Sequence, residues 1–221
     1  MKYNRPYSRA RWGTMAKDFE MGVDFGRLRR ERLAKAQAAI KARGLGAVLC
    51  FDMDNIRYIC GTTIVEVARD FMSHYCICPA EGKPILFDIA VPAKRISAPW
   101  LEGRLEAPIS ILKGALPPET NLQGKFAQQV KRVLSEYGVA KQPLGIDFME
   151  FPMQRALEKE GLLLDDAQQA LLDALEIKTG DEIELLKQCS AITDAVHDAL
   201  VRAIRPGIKE SDLVGIATQK Y

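Results

Sequence analysis

The chain has 221 residues, with 31 Lys and Arg against 29 Asp and Glu and a formal net charge of +2. That near balance gives no electrostatic case for nucleic acid or a membrane surface as partner. No apolar run approaches the roughly 18–20 residues needed to span a bilayer. Hydrophobic residues make up 48% and aromatics 7%, enough for the core of one ordinary globular domain with an appendage.

Residues 1–23 read as a tail, in which Lys2, Arg5, Arg9 and Arg11 are not offset by any acid before Asp18. They also lack the uninterrupted apolar core of a secretory signal. Asp24 is placed to cap a helix running to about Arg43, rich in Ala, Arg, Lys and Gln and stopped by Gly44. AVLCF (47–51) reads as a buried strand, Asp52 and Asp54 as a turn, and NIRYIC as a short helical turn from Asn55 to Gly61. HYCICP (74–79) and PILFDIA (84–90), joined by EGK, read as a hairpin. A loop with Pro92 and Pro99 leads to a short strand PISIL (108–112), and Pro117-Pro118 breaks the chain again.

Leu122 to Tyr137 is predicted helical, because Phe126, Val130, Val133, Leu134 and Tyr137 fall at three- and four-residue spacing. LGIDF (144–148) is a strand, MEFPMQRALEKEG (149–161) a helix with Pro152 near its first turn, and LLLDD (162–166) a last short strand. Strands alternating with helices imply an α/β domain over 24–170, its mixed sheet covered by helices on both faces. A linker is expected over 171–180. Beyond it, Thr179 or Asp181 caps a long amphipathic helix to about residue 204, and Ser211 caps another toward Tyr221. These two helices need a surface to cover, and no strand is left within the 221 residues to build one.

Five cysteines are present: Cys50, Cys60, Cys76, Cys78 and Cys189. The number is odd and four lie in apolar segments, so reduced buried thiols in a cytoplasmic protein are expected rather than a disulfide framework. Cys76 and Cys78 face one side of their strand, but with no second Cys/His pair nearby a zinc site is not expected.

Four stretches resemble the Xaa-Pro peptidase family that includes creatinase, prolidase and aminopeptidase P. RLRRERLAKAQAAIKARGLGAVLCFDMDNIRYICGT (27–62) is similar to the family's opening helix, first strand and N-x-x-Y-x-x-G turn. ARDFMSHYCICPAEGKPILFDIA (68–90) resembles its hairpin, and PLGIDFMEFPMQRALEKEG (143–161) a later strand and helix. ALEIKTGDEIELLKQCSAITDAVHDALVRAIRPGIKESDL (174–213) resembles the junction where an I-K-(T/S)-x-(D/E)-E-I run begins the catalytic domain. Leu175 stands where many relatives have Arg, which puts a charged hinge contact there in doubt.

The resemblance implies a creatinase-type N-terminal α/β domain followed, over 181–221, by the first two helices of an incomplete catalytic domain of the curved pita-bread fold. It implies a homodimer acting on a small peptide or other small molecule. The two divalent metal ions, of Mn, Co or Zn type, are implied only for a full-length relative. Their ligands (two aspartates, a histidine and two glutamates) fall beyond the stretch matching the end of this chain. Creatinase has the fold and needs no metal, and the fold also includes dimethylsulfoniopropionate lyases, so the resemblance does not fix the reaction.

No catalytic, cofactor or metal residue is therefore expected within the 221 residues. The chain contains only two histidines, His74 and His197. His197 reads as a surface helix residue beside Asp194 and Asp198, and Asp181, Glu182 and Glu184 as helix-start acids. No H-E-x-x-H, G-x-S-x-G or phosphate loop occurs. Because the family's N-terminal domain often reaches the active site of its dimer partner, Asn55, Arg57, Tyr58, Arg69, Asp70 and His74 are the candidates for substrate or partner contact. Against this, Asn55 as a cap, Tyr58 in the core and an Arg69–Asp70 ion pair are ordinary structural roles. The remaining alternatives are a stand-alone, non-catalytic dimerisation or binding module, and part of a lyase or creatinase-like enzyme.

Overall fold

The computed structural model describes residues 22–63, 73–109 and 117–220. They divide into two compact units: the described residues of Arg29–Ile177 form one, and those from Lys178 onward, with those before Arg29, form the other.

The Arg29–Ile177 unit is built on a six-stranded mixed sheet: β1 (Ala47–Cys50), β2 (Tyr75–Pro79), β3 (Ile85–Phe87), β4 (Leu105–Glu106), β5 (Leu144–Ile146) and β6 (Leu164–Asp166). The spatial order is β4-β3-β2-β1-β5-β6. β2 runs antiparallel to β1 and to β3, while β1–β5, β5–β6 and β3–β4 are parallel. The turn EGK closes the β2–β3 hairpin, and the strands on β1's other side are reached through helical crossovers, as parallel pairing requires.

The sheet's period of two sorts its side chains into two cores. Val48, Cys50, Cys76, Cys78 and Leu86 face one side, where α1 (Phe25–Ala42), α2 (Met53–Cys60) and α6 (Gln168–Glu176) bring Ala36, Ile40, Ile56, Ile59, Ala170 and Leu171. Ala47, Leu49, Tyr75, Ile77, Ile85 and Phe87 face the other side. There α4 (Leu122–Glu136) and α5 (Phe151–Lys159) bring Phe126, Val130, Leu134, Met153 and Leu157. Burial on both faces explains why β1 reads as an unbroken apolar run.

The structure differs from the sequence reading in three places. Pro92 lies within a short helix, α3 (Val91–Ser97), because proline in a first helical turn supplies a fixed φ and withdraws only an amide that has no helical partner. The stretch read as a linker contains the end of α6, whose Ala170, Leu171 and Ala174 pack into the first core. The strand expected over 108–112 is not seen at 108–109, which lie outside any strand, and its other positions lie outside the described residues; β4 forms earlier, at Leu105–Glu106.

In the other unit, α7 (Gly180–Ala203) packs with α8 (Glu210–Lys220). Thr179 caps α7: its Oγ1 accepts from the Glu182 amide at 3.3 Å, while the Thr179 amide donates to Glu182 Oε2 at 2.8 Å. Thr179→Ala is expected to remove about 1 kcal/mol of local helix stability, read as faster amide exchange in the first turn of α7. Unchanged exchange there would show that the cap contributes nothing. Asp181, its side chain 1% exposed, takes a bidentate pair from Arg27 Nε at 2.8 Å and Nη2 at 2.7 Å, which holds its carboxyl below the ordinary aspartate range. Among the described residues, no helix is long and apolar enough to cross a membrane.

Candidate functional site

Three of the sequence candidates lie on α2, which follows β1 directly. Asp52 is its cap, with Oδ1 accepting from the amides of Asp54 at 2.9 Å and Asn55 at 3.0 Å. The helix thus begins two residues before Asn55. Gly61 ends it in the left-handed region, φ 65°, and a Cβ there would meet Arg29 Cδ at 2.5 Å. Asn55 is buried and donates to Asp147 Oδ2 at 3.1 Å. Tyr58 donates to the Ala174 carbonyl at 3.0 Å, beneath the Arg32 guanidinium, 5.2 Å from the ring centroid. Arg57 is exposed and pairs with Asp54 at 2.7 Å.

Asp147, at the end of β5, gathers this corner. Its carboxylate accepts from the amides of Phe51 (2.9 Å), Asp52 (3.0 Å) and Phe148 (2.7 Å) as well as from Asn55. Burial pushes its carboxyl above the ordinary aspartate range, against the pull of those four donors. Asn55 is therefore tied to the strand ends.

His74 immediately precedes β2 and is 2% exposed. Its Nδ1 lies 3.5 Å from Asp88 Oδ2, and Lys94 Nζ lies 3.8 Å from the same oxygen. The Ala90 amide donates to Asp88 Oδ1 at 2.6 Å. Lys94 also donates to Thr62 Oγ1 at 3.4 Å and to the Thr63 carbonyl. The His74 contact is at the outer limit of hydrogen bonding, and neither imidazole nitrogen has a hydrogen-bond partner among the described residues. Burial works against the Asp88 carboxylate, but the imidazole, the Ala90 amide and the Lys94 ammonium outweigh it and hold its carboxyl below the ordinary range.

A depressed carboxyl favours the fold above the unfolded-state value, and that contribution disappears as pH falls through the lower folded value. The wild-type chain is therefore expected to lose more stability than Asp88→Asn between about pH 5 and pH 3, measured by urea unfolding. Parallel pH profiles would refute this assignment.

Arg69 and Asp70 lie outside the described residues. The structure draws Asn55 and Tyr58 into the buried framework, leaves Arg57 at the surface and encloses His74. Asp88, Lys94 and Asp147 are missing from the sequence candidates. Two of them had a readable signal: an aspartate directly after an apolar strand run, in ILFD and LGID.

Among the described residues, no group of three or more His, Cys, Asp or Glu is arranged to hold a metal ion. His197 is exposed on α7, and Glu182 is engaged in the cap. Cys50 stands opposite Cys76 in the β1–β2 register, and with Cys60 and Cys78 both are free and buried. The Cys76 contact lowers the Cys50 thiol, but burial and Asp147 push it up to about 11, so it is not a thiolate nucleophile at neutral pH.

These features define a creatinase-type α/β domain. The Creatinase/Prolidase N-terminal domain family matches residues 32–177, and the chain belongs to that family. Creatinase of Bacillus sp. (strain B-0618) is 33% identical over 92 residues, 40% of this chain and 22% of that protein. A prolidase from Thermococcus sibiricus superposes with TM-score 0.62 at 20% identity, covering 87% of this chain and 49% of that one. A Xaa-Pro dipeptidase from Bacillus anthracis gives 0.54 at 20% identity, covering 86% and 48%. The chain thus spans about half the length of these solved structures, and at such identity they establish the fold alone.

Proposed function

We propose that this chain is the N-terminal portion of a cytoplasmic, homodimeric Xaa-Pro peptidase-like metallohydrolase. Its α/β unit shapes substrate access and builds the dimer, and a further domain supplies the two divalent ions and their ligands. The observation that carries this reading is the family match over 32–177 in a chain that spans 49% of a solved prolidase. The surface of α7 and α8 supports it: Val201, Ile204 and Val214 are 71%, 62% and 59% exposed, which suits helices made to cover a sheet. The buried free thiols support a reducing compartment.

The purified 221-residue chain is expected to show no turnover of Xaa-Pro dipeptides with added Mn²⁺, Co²⁺ or Zn²⁺. A form extended through the reading frame after Tyr221 is expected to be active and to carry the Asp, Asp, His, Glu, Glu ligands. Metal-dependent turnover by the 221-residue chain, or a stop codon directly after Tyr221, would overturn the reading. The 33% identity with a creatinase favours a second reading, a creatinase-like amidinohydrolase. A panel of creatine and Xaa-Pro dipeptides offered to the extended form separates the two.

A further inference from the structure

Four of the five cysteines share one core, the layer between the sheet and α1, α2 and α6. Cys50 ends β1, Cys76 and Cys78 belong to β2, and Cys60 is the last residue of α2. A buried thiol ordinarily serves as a small apolar side chain, and that role does not require thiols to meet. Here they do meet. The Cys76 thiol is in hydrogen-bonding contact with that of Cys50 and with that of Cys60. Cys78 donates instead to the Pro79 carbonyl, at 3.6 Å.

The strand register gives one of these contacts a fixed geometry. Cys50 lies directly opposite Cys76 in the antiparallel β1–β2 ladder, and both side chains enter the same core. Directly opposed residues of such a ladder have Cα atoms about 4.5–5.5 Å apart. That falls inside the roughly 4.4–6.8 Å that a disulfide spans. Cys78 is opposite Val48, so β1 offers it no thiol partner. Cys60 comes from a helix, and no ladder sets its distance to Cys76.

We propose that Cys50 and Cys76 are a peroxide-responsive dithiol that closes a reversible disulfide between β1 and β2. In the first step the Cys50 thiolate attacks hydrogen peroxide. The O–O bond breaks, the sulfur becomes a sulfenic acid, and the leaving hydroxide takes up a proton as water. The Cys76 thiol then attacks that sulfur. The S–S bond forms, the S–O bond breaks, and a second water carries away the Cys76 proton. Peroxide is reduced and the two sulfurs are oxidised; a dithiol such as dithiothreitol reverses the bond by exchange.

The order of attack follows from the contact between the two thiols, which lowers Cys50 and raises Cys76. Burial and Asp147 nevertheless push Cys50 up to about 11, so about one molecule in ten thousand carries its thiolate at pH 7. The pair therefore stays reduced under brief exposure and is converted by sustained oxidant. Disulfides that form in reducing compartments are usually transient or redox-sensing, which suits a pair that rests as thiols.

The test uses the 221-residue chain with Cys189→Ser, which removes the exposed cysteine. The folded protein is incubated with hydrogen peroxide between about pH 7 and pH 9 and read by intact mass and non-reducing peptide mapping. The expected result is a loss of two hydrogens, restored by dithiothreitol, with the segments carrying Cys50 and Cys76 joined and the circular dichroism retained. Its rate is expected to rise about tenfold per pH unit. Cys50→Ala and Cys76→Ala are each expected to cut the yield about tenfold or more, while Cys60→Ala and Cys78→Ala leave it within about twofold. If an alanine variant does not fold, the peptide map of the unsubstituted pair still decides. No mass loss, a link through Cys60 or Cys78, or a link that appears only after unfolding in urea would overturn the dithiol.

Discussion

Asp88→Ala is expected to lower the stability of the α/β unit by about 3–5 kcal/mol, the range for removing one partner of a buried ion pair. Asp88 is 1% exposed and Lys94 is 4% exposed. Without the carboxylate the ammonium keeps, among the described residues, Thr62 Oγ1 and the Thr63 carbonyl as acceptors and loses the counter-charge of Asp88. The Ala90 amide loses its acceptor as well. Urea unfolding followed by circular dichroism measures the effect as a drop in midpoint at unchanged slope. Replacing both partners, Asp88→Leu with Lys94→Met, is expected to recover most of the loss, because no uncompensated charge then remains. A single-variant loss under about 1 kcal/mol, in the range of a solvated pair, would contradict the burial of this cluster.

Phe126→Ala is expected to have an effect of similar size, about 3–5 kcal/mol, by a different mechanism. Phe126 is fully buried on α4, edge-on to Tyr75 with centroids 5.3 Å apart and 6.0 Å from Phe51. Tyr75 stacks in turn on Phe87 at 4.6 Å, so one ring from α4 meets an aromatic layer spanning β1, β2 and β3. Truncation opens a cavity under that layer, and the sheet cannot close it without moving three strands. Phe126→Leu is expected to lose about 1.5 kcal/mol or less, because most of the volume remains. The contrast with the Asp88 variant is diagnostic: the Phe126 loss is expected to be the same at pH 7 and pH 3, since no titrating group is involved. A pH-dependent loss at Phe126 would mean that this variant disturbs the ionic cluster too.

Of the candidate site, the sequence showed the residue types but not the partnerships. Asn55, Arg57, Tyr58 and His74 could be picked from a turn and a strand start. That Asn55 meets Asp147, 92 positions away, and Tyr58 meets the Ala174 carbonyl, 116 away, depends on which strands lie side by side. Lys94 was hidden because a short helix with proline in its first turn reads like a loop. The end of α6 falls in the stretch that reads as a linker, although Ala170, Leu171 and Ala174 carry helical spacing.

By itself the sequence determined the local elements: short apolar runs marked β1, β3 and β5, alternation marked β2, helical spacing marked α4 and α7, Gly61 marked a stop, and Thr179 or Asp181 a start. Those signals lie within a few residues of each other, so period and cap chemistry suffice to read them. Only the tertiary structure decided the order β4-β3-β2-β1-β5-β6, the sorting of two cores, and the meeting of His74, Asp88 and Lys94 around one carboxylate. The physical reason is that strand neighbours and buried charge pairs are set by the joint burial of distant segments, a property no single stretch of the chain carries.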